Sequence, residues 1–405
     1  MARHYSPRNF LRHAPNQLLA EYFDGRGRSI AETVAALEET DIEVLYQEWD
    51  ELPAEDRTAI DADFQLIDEL ADEQGIQAIL EEGRGYHEED LEPAFGELAD
   101  FYDKAFWTFL NRPRYFEVAA RFRRADEYAG RSWHKRMEDV PQVIPRDDQD
   151  ACLELAQAVG AYFQLTQGRG HSCVVDVYRR DARYYYFCFP EDYGRSDLEF
   201  GAEGLARTPH RPVFETVFVY SPSTALDTYT PGQKKVRQNL EQIFGRIILG
   251  VELPSPGKDE RVYQLNALKN RQFDFVYDPA SGITDVRIRK LRLTVLGDEF
   301  RRITLEVDST LRREAVYDLL DHTLGTHPGT PEGNRIPLAL CNITRVGVRA
   351  YFTDPDTERS TTRTFHLTYP NTCDLKQYGR DLVLRDVLAA SGLEPHRPVV
   401  EAAPE

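Results

Sequence analysis

Cys173-Val-Val-Asp-Val-Tyr178 and Tyr184-Tyr-Tyr-Phe-Cys-Phe189 flank the short stretch Arg179-Arg-Asp-Ala-Arg183. Two β-prone runs on either side of a polar turn read as a hairpin. Upstream, the apolar residues recur at helical spacing. Downstream, strands dominate: Val213 to Tyr220 reads as a third strand, and residues 262–308 are strand-rich. The strands come in clusters, each followed by a helix, without a repeating βαβ rhythm. The predicted class is therefore α+β: an N-terminal acidic all-helical domain, then mostly antiparallel sheets covered by helices.

The helical part rests on spacing. Ser29 with Glu32, and Thr40 with Glu43, fit capping boxes. Ile42, Leu45, Tyr46 and Trp49 make one apolar face, which Pro53 ends. Ile60, Phe64, Ile67, Leu70 and Ala71 mark the next helix. Gly83-Arg84-Gly85 is expected to break the pattern, which restarts over Leu91, Phe95, Leu98, Tyr102 and Phe106. The Arg-rich helical segment 112–136 is expected to pair with acidic helices of the same domain.

Beyond the hairpin, Thr230-Pro231-Gly232 opens a helix with the stripe Val236, Leu240, Ile243, Phe244, Ile247 and Ile248. Val286 and Ile288 alternate with Arg287 and Arg289, and then the apolar phase slips to Leu291, Leu293 and Val295. That slip predicts a bulge or turn near Lys290. A helix is expected from about Leu311 to Leu324, strands near 337–352 and 362–369, and a last helix over about 380–391. The Pro/Gly-rich loop 326–334 reads as exposed, and the tail from Pro395 as loose. The predicted organisation is a basic arm (1–28), an acidic helical domain (29–139), a linker (140–150), an α+β domain of three strands plus a helix (151–257), and a second α+β domain with a basic strand face (258–405).

Charge is strongly localised. Residues 31–103 hold 25 Asp and Glu against two Arg, a net −23 within a chain of net −20. A localised field can select a partner, whereas diffuse acidity mainly favours solubility. The face around Asp61, Asp63, Asp68 and Glu69 is the predicted dock for a basic protein. The five cysteines form no CxxC pair and read as reduced thiols. No run of 18 apolar residues suggests a membrane helix, and the N-terminal stretch lacks the apolar core of a signal peptide, so a cytoplasmic location is expected.

Candidate chemistry is sparse. Arg287, Arg289, Lys290, Arg292, Arg301 and Arg302 form the best basic cluster, suited to phosphates because alternate strand residues share a face. His171, in Gly168-Arg-Gly-His-Ser172, could act as acid or base, with Ser172, Cys173 and Asp176 as local companions. Asp318, Asp321, His322 and His327 could supply metal-ligand atoms, but form no HExxH, and no metal is assigned. The polar Ser221 to Thr228 stretch reads as a flexible connection able to hold a ligand. No Walker A or dinucleotide-binding stretch is present, and no cofactor is predicted.

The leading expectation is a non-catalytic interaction subunit of a cytoplasmic prokaryotic multi-protein system, docking a basic partner through its acidic domain. Phage defence or a mobile element is the expected setting of such a system. The alternative is an enzyme on nucleic acid or nucleotides, with phosphate on the Arg287–Arg302 cluster and His171 as acid or base.

Overall fold

The computed structural model describes residues 5–28, 30–38, 41–87, 90–129, 133–180, 182–201, 204–255, 262–297, 301–325, 335–353, 360–377 and 379–394. Ser29, Thr40, the loop 326–334 with His327, and the tail from Pro395 lie outside them. The chain divides into two compact units, one ending at Tyr128 and the other beginning at Ala129.

The first unit is helical: α1 (Pro7–His13), α2 (Asn16–Gly25), α3 (Ile30–Ala36), α4 (Ile42–Asp50), α5 (Ala54–Leu70), α6 (Glu73–His87), α7 (Glu92–Gly96), α8 (Phe101–Asn111) and α9 (Pro113–Ala129). Its core is aromatic. Phe10 stacks on Phe64 with centroids 4.2 Å apart, and Tyr22, Tyr102 and Phe106 close around that pair. Burying each such ring stabilises the fold by about 1.5–3 kcal/mol. The expected arm is part of this core, since Phe10, Leu19 and Phe23 are fully buried. Three of its arginines are also spent internally: Arg8 pairs with Glu43, Arg26 with Asp63 and Arg28 with Asp56. Helix α6 runs through Gly83-Arg84-Gly85, which the sequence reading had as a break. A helical Gly costs only about 1 kcal/mol against Ala, and burial of this face outweighs it. The expected pairing of the Arg-rich segment with acidic helices is present as a two-bond pair from Arg123 to Asp72, at 2.5 and 2.7 Å.

The second unit is mixed: β1 (Trp133–Arg136), α10 (Gln149–Gln167), β2 (Cys173–Arg180), β3 (Arg183–Pro190), β4 (Arg195–Gly201), β5 (Gly204–His210), β6 (Thr216–Ser221), β7 (Ala225–Tyr229), α11 (Lys234–Ile248), β8 (Ile283–Val295), β9 (Arg302–Glu306), α12 (Ala315–Leu324), β10 (Cys341–Thr353), β11 (Ser360–Thr368), β12 (Thr372–Cys373) and α13 (Gly379–Ala390). Among the described residues, ten strands form one antiparallel sheet in the order β2-β3-β6-β7-β1-β12-β11-β10-β8-β9, while β4 and β5 form a separate hairpin. The two α+β domains expected at 151–257 and 258–405 therefore share one sheet and one core. Strand β1, which the sequence reading placed within an all-helical segment, joins the halves by pairing with β7 and β12. The expected linker is pinned to the sheet: the Tyr220 hydroxyl accepts from Val143 N–H at 3.0 Å and donates to the Pro141 carbonyl at 2.8 Å. The Ser221 to Thr228 stretch is the tight β6–β7 hairpin rather than a loose loop.

Helices cover opposite faces in the two halves. In the first half, Phe244 of α11 packs on Tyr186 and Phe218, and Glu241 of α11 meets Arg136. Lys135 points to the other face, where its cross-strand neighbour Asp227 meets Arg385 of α13. That same face carries Cys373, Leu367, Val346 and Leu291 across the second half, packed in the core with residues of α12 and α13. The alternate residues of β8, β9, β10 and β11 consequently lie on the face away from α12 and α13.

Candidate anion-binding face

That face follows from strand periodicity. Leu291, Leu293, Val346, Phe365 and Leu367 are buried, so their neighbours project to the other side. Cross-strand register sets these neighbours in rows. Arg292 lies opposite both Arg345 and Thr304, and Arg345 lies opposite Thr368. Lys290 and His366 both lie opposite Gly347, and Arg302 lies opposite Thr294.

Arg292, Arg302 and Arg345 are the centre of the arrangement. None of the three forms an ion pair among the described residues. Burial, then the charges of Arg302 and Arg345, hold the Arg292 guanidinium below its ordinary pKa. Arg292 Nε donates to Thr344 Oγ1 at 3.3 Å, which fixes its guanidinium on the face. The Nε atom of Arg345 is buried with no hydrogen-bond acceptor. Three like charges gathered with hydroxyls, and with no carboxylate paired to them among the described residues, make a site that an anion would relieve.

The other members of the predicted cluster have different places. Arg287 pairs with Asp285 and lies over the Tyr351 ring, with its guanidinium carbon 4.9 Å from the centroid. Lys290 Nζ is 2.7 Å from Glu306 Oε2. Arg301 is exposed just before β9. Arg289 is the bulged residue, because Lys290 pairs with Gly347 while Ile288 pairs with Val348. It is buried, and donates to the carbonyls of Ser309 and Leu311 at 2.9 Å each and to the Tyr351 hydroxyl at 3.1 Å. Those carbonyls face a guanidinium instead of a following turn, and α12 starts only at Ala315 rather than near Leu311. The expected bulge near Lys290 is present, and it removes Arg289 from the phosphate-facing set.

His171 stands at the opposite end of the sheet, before edge strand β2, while the arginines lie on β8, β9 and β10. Its Nδ1 is 3.3 Å from Gln164 Nε2. Burial pushes the neighbouring Cys173 thiol up to about 12. Cys173 and Asp176 project to opposite faces of β2, so the expected companions do not converge. Asp318 pairs with Arg271 and Arg312, and Asp321 with Arg271. No group of three metal-ligating side chains occurs among the described residues.

Three of the four acidic residues chosen from sequence are engaged inside their own unit. Asp61 accepts from the Tyr5 hydroxyl at 2.9 Å and Asp63 from the Tyr22 hydroxyl at 2.7 Å. Asp68 is buried and accepts from Tyr102 at 2.5 Å. Glu69 is half-buried and also takes part in an interaction.

Sequence reasoning missed Arg345 and His366. Asp374 accepts from His366 N–H at 2.6 Å through Oδ1, and its Oδ2 lies 2.9 Å from His366 Nδ1. The available signal was weak: a His within Thr-rich β11 and an Asp eight residues later. Comparison with protein-family models, curated proteins and solved structures returns no match.

Proposed function

We propose that this protein binds a phosphate-bearing polyanion, nucleic acid, across the face built by β8, β9 and β10. The observation that carries this reading is the grouping of Arg292, Arg302 and Arg345 without a carboxylate partner among the described residues. Arginine forks and threonine hydroxyls are the donors that phosphate oxygens accept from. The test is fluorescence anisotropy with labelled oligonucleotides, comparing the wild type with R292Q/R302Q/R345Q. Loss of binding in the triple variant supports the reading, and equal binding overturns it.

A second reading keeps the acidic unit as the dock for a basic partner in a multi-protein system. Glu32, Glu38, Glu51 and Glu55 support it, being exposed and in no ion pair among the described residues. Neutralising these four should weaken capture of a basic partner and flatten its salt dependence. Unchanged capture removes this reading.

A further inference from the structure

We infer that the polyanion is RNA and that His366 cleaves it as a general base; the inference rests on the anion-binding reading of the same face. The carboxylate of Asp374 lies at Nδ1, which places the Nδ1 proton toward Asp374 and leaves the Nε2 lone pair free. An orienting carboxylate also stabilises the imidazolium once a proton is taken, which is its role in hydrolytic triads.

The position of Nε2 is set by Gly347. A Cβ at Gly347 would come 3.3 Å from His366 Cδ2, 3.4 Å from His366 Nε2 and 2.9 Å from Lys290 Cβ. The imidazole therefore lies over a point on β10 that only glycine leaves clear. Arg345 and Arg349 stand two residues to either side of that point, about 7 Å away along the strand. Both are half-buried, and Arg349 Nη2 donates to Thr362 Oγ1 at 3.0 Å. A phosphodiester held by either guanidinium sets the adjoining ribose beside Nε2.

Scission by the ribose itself fits this arrangement. Nε2 takes the proton of the 2′-hydroxyl. The 2′-oxygen forms a bond to the adjacent phosphorus, and the bond from phosphorus to the 5′-oxygen breaks. The departing 5′-oxygen takes a proton from water, and the hydroxide left recovers one from the imidazolium. The products are a 2′,3′-cyclic phosphate and a 5′-hydroxyl, with no change of oxidation state. DNA has no 2′-hydroxyl, so it binds the face and stays intact.

The experiment incubates the full chain with an RNA oligonucleotide and its DNA counterpart in the presence of EDTA. Mass spectrometry reads the ends, and anisotropy reads binding in parallel. The expected result is RNA cleaved to cyclic-phosphate ends and DNA bound but uncut. H366Q and H366A should lower the cleavage rate by about 10²–10⁴-fold, with DNA affinity reduced far less than in R292Q/R302Q/R345Q. D374N should slow cleavage and move its pH profile, as expected of a positioning residue. Binding without cleavage, or cleavage that survives H366Q in a variant with the wild-type circular dichroism spectrum, overturns the inference while leaving the anion-binding reading in place. Absence of binding to either oligonucleotide overturns both. Should H366A not fold, H366Q decides, and if neither folds, His366 is structural and the inference fails.

Discussion

Lys135 and Arg136 are adjacent on β1 and enter separate ion clusters on opposite faces of the sheet. Lys135 Nζ lies 2.7 Å from Glu394 Oε1 and 3.4 Å from Asp227 Oδ2. Arg136 Nη1 lies 3.5 Å from Glu241 Oε2, which Arg237 also approaches at 3.2 Å. Burial opposes the charge on Asp227, but Lys135 and Arg385 outweigh it and hold the carboxyl below its ordinary range. Because β1 joins the two halves of the sheet, these clusters fix the junction where the helical layers change sides.

The clusters differ in redundancy. Replacing Lys135 leaves Asp227 and Glu394 with Arg385 as the remaining cation in that network. Breaking a buried pair on one side typically costs about 3–5 kcal/mol. K135M should therefore lose about that much in urea unfolding followed by circular dichroism. R136M should lose less, because Arg237 still neutralises Glu241. Equal losses would contradict this account of the junction.

His134, one residue before Lys135 on β1 and in register with Thr228 and Thr372, gives a pH dependence. Burial, and then the charge of Arg237, push its pKa down to about 4. The unfolded chain holds this proton up to about pH 6.5, so between about pH 6.5 and 4 it binds more protons than the folded protein. Stability should accordingly fall as the pH drops through that window, by at most roughly 3 kcal/mol for a shift of this size. H134Q should flatten that part of the stability curve. An unchanged slope in H134Q would assign the acid sensitivity to other groups.

The acidic helices should respond in two ways. D68A leaves the Tyr102 hydroxyl buried without its acceptor, a loss of about 1–3 kcal/mol. E55Q, at an exposed position, should stay within about 0.5 kcal/mol of the wild type. Thermal melts of the two variants test this, and a D68A melt that overlays the wild type would show that the Tyr102 bond contributes little.

The division between what was legible and what was not follows from the range of the signal. Apolar spacing in Ile60, Phe64, Ile67 and Leu70 reports a helix face directly, and all four are buried. The phase slip after Ile288 revealed the bulge for the same reason. Nothing local, however, reports that Arg26 meets Asp63, so a basic arm and an acidic surface were read as two features where the fold makes one set of pairs. Arg345 comes opposite Arg292 through strand pairing across 52 intervening residues, whereas His171 stood out through its own neighbours, a Gly168-Arg-Gly run just before a strand. Strand β1 was hidden because Trp-His-Lys-Arg has no apolar alternation, its charged members being buried by ion pairs instead.

G347A tests the geometry of the face. Its Cβ would stand 2.9 Å from Lys290 Cβ, an atom too close to its own backbone to move aside. Overpacking of this kind costs about 1–3 kcal/mol. It should also displace the His366 ring, so RNA cleavage should fall more than oligonucleotide binding. A variant with wild-type stability and cleavage would show that the ring does not depend on the clear space at Gly347.

The most direct measurement of the central claim is the salt dependence of RNA oligonucleotide affinity. Each phosphate neutralised by an arginine contributes about −0.7 to the slope of log affinity against log salt for a single strand. The account predicts a negative slope for the wild type, and a slope shallower by about two in R292Q/R302Q/R345Q. A slope identical in the two proteins would contradict it, because phosphate would then be held elsewhere on the chain.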